Sequence, residues 1–372
     1  MTSRRGPALL GAAFVTALTL ALAGCAAPPG GVTTPTPTVA DDRPLAELDL
    51  VADPREHVGA STAQLASEAI EPVDDDPAQQ LPATVTSRDP GGDSEVTVAD
   101  TSRVIALDLA GSIAASVWGL GFGDTLVGRD RSTTFDGAAD LPVVTSNGHT
   151  IDAESVLALR PTLIVTDGSV GPRDVLTQLR ESGVTVVFVD SEASFDGAVQ
   201  LARDVAAILG APAAGELLAE RVRADIDAKI AEIAAIAPTA DGDKVRMLFL
   251  YLRGGSGIYY LFGEESGSAD LIRGLAGVDV AGEIGWTGMQ PMTDEAIIAA
   301  NPDLILVMTD GIASAGGIDG LLAAKPAIAL TAAGQHRRFV DMADGDILSF
   351  GPRSAAILDA LARAIYAPSV VE

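Results

Sequence analysis

Apolar residues follow two alternating rhythms along this chain. Short unbroken runs at Val104-Ile-Ala-Leu107, Leu163–Val165, Val184–Val189, Val245–Tyr251 and Leu304–Met308 read as strands buried on both faces, as in a parallel sheet. Between them, apolar residues fall at three- and four-residue spacing over Gly111–Leu120, Arg173–Ser182 and Ala355–Tyr366, the pattern of helices packed on such a sheet. Asp124–Gly128 and Pro142–Val144 add two shorter strand signals. Strand and helix alternate throughout, which predicts open sheets covered by helices. From Ala213 to Ala235 the helical pattern is continuous, with Pro212 suited to its first turn and Pro238 just beyond its end.

One unit of this pattern occurs twice. Glu154-Ser-Val-Leu-Ala-Leu-Arg-Pro161 leads into Thr-Leu-Ile-Val-Thr-Asp-Gly168, and Glu295-Ala-Ile-Ile-Ala-Ala-Asn-Pro302 leads into Asp-Leu-Ile-Leu-Val-Met-Thr-Asp-Gly311. Each copy has a glutamate ahead of a helix-ending proline, then a buried strand closing on Thr-Asp-Gly. A supersecondary unit used twice predicts two similar α/β lobes. The expected architecture is two Rossmann-like lobes with central parallel sheets, residues 101–210 and 243–372, joined by one long rigid helix over 211–238. Two lobes imply a cleft, and ligand sites in open α/β sheets gather outside the carboxyl ends of the strands.

Composition narrows the function. Hydrophobic residues make up 48% of the 372 residues and aromatics only 4%, so aliphatic side chains must build the cores. A formal net charge of −27 argues against nucleic acid, whose phosphates would be repelled. Arg4 and Arg5, the apolar run 8–23 and Leu22-Ala23-Gly24 before Cys25 form a secretory signal over residues 1–24. Leu-Ala-Gly-Cys is similar to a bacterial lipobox, with Cys25, the chain's one cysteine, as the lipidated first residue of the mature protein. An extracytoplasmic protein anchored to the outer face of the cell membrane is expected. Residues 26–40 are rich in Pro, Gly and Thr, and 41–100 are acidic around Asp74-Asp75-Asp76. Residues 25–100 therefore read as a largely disordered tether, with short strands at Val85 and Val96–Val98 as the alternative.

Candidate chemistry is sparse. His149 follows Asn147-Gly148 in a loop at a strand end, where an imidazole can project into the cleft. Tyr251 and Arg253 close the first strand of the second lobe, and period-two alternation places them on one side. A guanidinium beside a phenol favours the phenolate. Taken singly, the same residues also fit a locally bonded histidine, a tyrosine packed at a strand end and a surface arginine. Glu154 and Glu295 begin their helices, where a carboxylate gains from the helix dipole; their equivalent placement puts two acidic points on one face. Nucleophile elbow, Walker A and His-Glu-x-x-His motifs are all missing.

With lipobox, doubled unit and linking helix together, residues 101–370 resemble bacterial substrate-binding lipoproteins of ABC importers. The resemblance is to the single-helix class (class III periplasmic binding proteins) that serves siderophores, cobalamin and haem. Thr145-Ser-Asn-Gly-His149 and Tyr251-Leu-Arg253-Gly are similar to the ligand motifs of actinobacterial haem-binding proteins. That resemblance implies ferric haem b as the transported ligand, His149 and Tyr251 as axial ligands of its iron, and Arg253 hydrogen-bonded to the tyrosine oxygen. It also implies Glu154 and Glu295 docked on arginines of a permease dimer. Phe350-Gly-Pro-Arg353 would lie in a pocket loop, with Trp286 and Met292 as wall residues. Tyr259 and Tyr260 rival Tyr251, though neither has an arginine at the matching offset. No partner for the haem propionates can be read. A monomer that does no covalent chemistry is expected; the alternatives are a siderophore or cobalamin receptor of the same fold, or a cleft enzyme.

Overall fold

The computed structural model describes residues 43–146 and 149–368, with the backbone of Thr36–Pro37. The signal segment and Cys25 lie outside the described residues. In the first lobe four parallel strands stand in the order Thr185–Phe188, Leu163–Thr166, Val104–Leu107, Leu126–Arg129. Val104–Leu107 and Leu163–Thr166 are buried at every position, as their unbroken apolar sequence requires in a sheet covered on both faces. The expected strand at Pro142–Val144 is reduced to a single bridge between Val143 and Arg129. Pro142 has no N–H to extend the ladder, and only its carbonyl takes part, accepting from Arg129 N at 3.0 Å.

The linking helix, Pro212–Ile236, has its proline at the first turn. It buries Leu218, Val222, Ile226 and Ile233, one stripe at helical spacing. That stripe packs against helix Phe195–Ile208 of the first lobe and helix Ser354–Tyr366 of the second.

The second lobe departs from an all-parallel sheet. Ser61–Ala63, Phe339–Met342, Leu304–Met308 and Arg246–Arg253 run parallel, and Ile258–Phe262 and Met289–Pro291 then add antiparallel strands. The hairpin after Arg253 turns through Gly254–Ser256 and Gly257, whose φ of +67° favours glycine. Its return strand puts Tyr260 directly opposite Tyr251.

Residues 43–100 are a correction to the sequence reading: they form an ordered strap, not a loose tether. Ser61–Ala63 extends the second sheet, and the hairpin Ala83–Ser87/Ser94–Val98 docks on the first lobe, with Phe188 N donating to Ser87 Oγ at 2.9 Å. In between, Val73 N donates to Gly119 O and Trp118 Nε1 to Ile70 O. The fully buried Arg338 donates to Gly59 O, Ser61 Oγ, Ala364 O and Ile365 O, tying strap to lobe. Leu45, Ala63, Ile70 and Val98 are buried but widely spaced, so no periodic signal betrays them. Other ties use backbone groups, such as Val51 N to Tyr366 O and Gln80 N to Gly210 O, which composition does not register.

The lobes meet at the base of the cleft. Ser112 Oγ and Ser349 Oγ are 3.3 Å apart, and Phe195 and Phe350 pack with ring centroids 5.5 Å apart. Loop 343–346 approaches loop 130–134 so closely that a Cβ on Gly345 would fall 2.7 Å from Ser132 O.

Candidate functional site

His149 is carried by a hairpin whose strands, Thr145–Ser146 and Thr150–Ile151, leave the carboxyl-end side of the first sheet. Its φ of +61° lies in the left-handed region, a conformation costing a non-glycine residue about 1–3 kcal/mol. The ring is half-buried, and Nδ1 is buried without a hydrogen-bond partner. An orphaned polar atom of this kind calls for an explanation outside the fold. Burial holds the imidazole below its ordinary pKa, the charges of Arg131 and Arg253 push the same way, and Asp344 opposes them. Arg253 and Asp344 belong to the second lobe, so the histidine faces across the cleft.

On the other side, strand Arg246–Arg253 alternates its side chains between two clusters. Met247, Phe249 and Tyr251 pack with the main core, and Leu248, Leu250 and Leu252 with a separate cluster on the opposite face. Tyr251 is half-buried, stacked on Phe262 at 5.7 Å with an interplanar angle of 17°. Tyr260 shares its face, while Tyr259 lies on the other, beneath the Lys325 ammonium at 4.5 Å. The face of the sheet thus separates one rival tyrosine from the site; Tyr260 stays beside Tyr251.

Arg253 sits on the Tyr251 side, but not as the resemblance implies. Its guanidinium lies over the tyrosine ring, 4.7 Å from the centroid, instead of donating to the phenol oxygen. Its hydrogen bonds go to Asp344 Oδ2 at 2.7 Å and Leu252 O at 3.0 Å. Among the described residues nothing hydrogen-bonds the Tyr251 hydroxyl. Asp344 was not legible as a site residue. Its Oδ1 accepts from Asp310 N, in the second Thr-Asp-Gly, so the doubled unit does reach the cleft. Burial raises the Asp344 pKa, with Asp310 N and Arg253 pulling it back.

Four weaker expectations are not met. Trp286 and Met292 pack in the cluster on the face opposite Tyr251, and Trp286 Nε1 donates to Leu261 O at 3.1 Å. Phe350 is core, wedged against Phe195. Arg353 is only 4% exposed and is bound to Asp346 at 2.8 Å and Glu68 at 3.0 Å, a bolt joining strap and second lobe, with its guanidinium 5.9 Å from the Phe135 ring centroid of the first lobe. Apolar and basic residues near a C-terminal loop fit a buried junction as well as a pocket wall, and burial decides between them.

Glu154 and Glu295 are both exposed in the first turns of helices Ala153–Ala158 and Asp294–Ala300, capped by Asp152 and Thr293. A concavity of about 450 Å³ between Leu50–Pro54 and the end of the linking helix contains none of the candidate residues. The unpartnered imidazole and phenol mark the candidate site instead.

Known proteins share this fold. The model of the periplasmic binding protein family matches residues 105–344. The crystal structure of the heme binding protein HmuT is similar at 39% identity and a TM-score of 0.78, covering 85% of this chain and 100% of that one. HmuT has also been solved with an arginine, a histidine or a tyrosine replaced by alanine. The periplasmic heme-binding protein RhuT from Roseiflexus sp. RS-1, in apo form, is 34% identical with a TM-score of 0.63, over 72% of this chain and 98% of its own. YvrC of Bacillus subtilis, an uncharacterized ABC transporter substrate-binding lipoprotein, is 25% identical over 289 residues, 77% of this chain and 86% of its own.

Proposed function

The chain belongs to the periplasmic binding protein family, and from that premise we propose that it captures ferric haem in the interlobe cleft and delivers it to an ABC importer. The observation that carries this reading is the pair of unpartnered donors: the imidazole of His149 and the phenol of Tyr251, one from each lobe. Haem is flat and largely apolar, with open axial positions on both faces, and a cleft with one donor per wall grips it from both sides. Ferric iron favours an anionic oxygen, so Tyr251 ligates as phenolate, and Arg253 over its ring offsets the charge. His149, kept neutral by burial, offers a free nitrogen lone pair to the other face. In HmuT the substituted tyrosine and arginine are two positions apart, as Tyr251 and Arg253 are here.

The linking helix is packed on both lobes, so release proceeds by small lobe movements that free one axial bond at a time. Cys25 carries the lipid that holds the protein at the membrane, and Glu154 and Glu295 dock on cationic residues of the permease. Hemin titration of the chain lacking residues 1–25 tests the reading. A saturable Soret band at one equivalent is expected. Tight binding of a ferric siderophore or cobalamin with no haem spectrum would assign the cleft to that cargo instead.

A further inference from the structure

The acidity of the chain poses a problem that the axial ligands do not solve. Haem carries two carboxylates, and this protein has 51 acidic residues against 24 basic ones. A dianionic edge entering the cleft needs a cation that no protein carboxylate already holds. Among the described residues, the guanidinium groups of only Arg131, Arg160 and Arg173 make neither an ion pair nor a hydrogen bond, and the one ammonium without a carboxylate, that of Lys325, lies over the Tyr259 ring on the face opposite Tyr251. Arg160 precedes Pro161 at the amino end of strand Leu163–Thr166, the end of the sheet away from the cleft. Arg173 opens helix Arg173–Glu181, two residues after Gly171, which bridges Thr150 of the His149 hairpin, but its charge is not among those acting on His149.

Arg131 is placed differently. It follows strand Leu126–Arg129 at the carboxyl-end side of the first sheet, and its backbone N donates to Thr145 Oγ1 at 3.1 Å, in the hairpin that carries His149. The loop under it is rigid: the buried Asp130 carboxylate accepts from Ser132 N and Thr133 N at 2.8 Å each and from Asp108 N at 3.0 Å. The carbonyl of the next residue, Ser132, abuts Gly345, beside the Asp344 that anchors Arg253. The Arg131 side chain is exposed at this seam, and its charge is felt by His149.

We propose that Arg131 receives a haem propionate at the mouth of the cleft and makes the site selective for tetrapyrroles with a free carboxylate edge. This rests on the haem reading given above. A planar guanidinium matches a carboxylate in two parallel hydrogen bonds, and an unpaired one breaks no existing bond to do so. Arg253 is not free for the role, being bound to Asp344.

The test is titration of the full chain in detergent with hemin and with hemin dimethyl ester, in which both propionates are neutral. The unaltered protein should prefer hemin by about ten- to a hundredfold, the span expected of one charge-assisted hydrogen-bonded pair. Arg131→Gln should close most of that gap by weakening hemin while leaving the ester and the shape of the Soret band unchanged. Arg131→Lys should restore part of it, and Arg160→Gln should leave it intact. A gap that survives Arg131→Gln, or no gap in the unaltered protein, overturns the assignment without touching the haem reading. Absence of a Soret change with either compound overturns both.

Discussion

As the proposed ligands of one iron, Tyr251 and His149 are unlike donors, and their roles should separate when its oxidation state changes. Tyr251→Ala should weaken ferric haem more than His149→Ala, because the harder ion prefers anionic oxygen. With Fe(II) the order should reverse in favour of imidazole. Equal losses from both substitutions in both states would sink this ranking. Arg353 makes the contrasting case of a residue whose basic charge is structural. Its side chain is 3% exposed and that of its partner Asp346 5%, so Arg353→Ala leaves a buried carboxylate without its cation. The expected cost is about 3–5 kcal/mol in urea denaturation, with the Soret band shape retained in protein that remains folded. A cost under ~1 kcal/mol, together with an altered haem spectrum, would move Arg353 back into the pocket.

The strap over residues 43–100 is the element whose importance was hardest to foresee. Strand Ser61–Ala63 covers the outer side of Phe339–Met342, which would otherwise be left with that side of its ladder unpaired. Burying Leu45, Ile70 and Val98 is worth roughly 1.5–3 kcal/mol each before the entropy of ordering the segment is subtracted. A chain beginning at residue 101 should therefore denature at lower urea concentration and associate through the exposed strand. In the intact chain, amides of 83–98 should exchange as slowly as those of the first sheet. Rapid exchange there, or an unchanged midpoint on truncation, would restore the picture of a loose tether.

For the molecule as a whole, binding and delivery should be separable. Glu154 and Glu295 are exposed on equivalent helices, one per lobe, and neither is one of the proposed haem ligands. Reversing both, Glu154→Arg with Glu295→Arg, should abolish haem-dependent growth while hemin affinity stays unchanged, and each single change should do less. Charge complementarity sets register and encounter rate more than it sets affinity. If the two glutamates serve only their helix dipoles, growth stays normal and stability falls by less than ~1 kcal/mol per site. The two outcomes are readily distinguished.

Much of this architecture is written in local pattern. Unbroken apolar runs fix the parallel strands, and helical spacing between two prolines fixes the linking helix nearly to the residue. The doubled Glu–Pro unit marks both lobes, because one buried strand and one helix face suffice to imprint a period. The Tyr251–Arg253 pairing follows from strand alternation, and the two residues do share a side. What alternation does not specify is how the guanidinium meets the phenol. Arg253 lies over the ring because Asp344, 91 residues further on, holds its other side. The same limit hid most of the strap, whose contacts are long-range; only its short strands at Val85 and Val96–Val98 are legible. The pocket places that the resemblance implied for Trp286, Met292, Phe350 and Arg353 depend on burial, which no local pattern states. Local sequence carries period, capping and charge; which face of a sheet meets the cleft, and which ion pair is buried beneath it, are set by contacts between segments that no period relates.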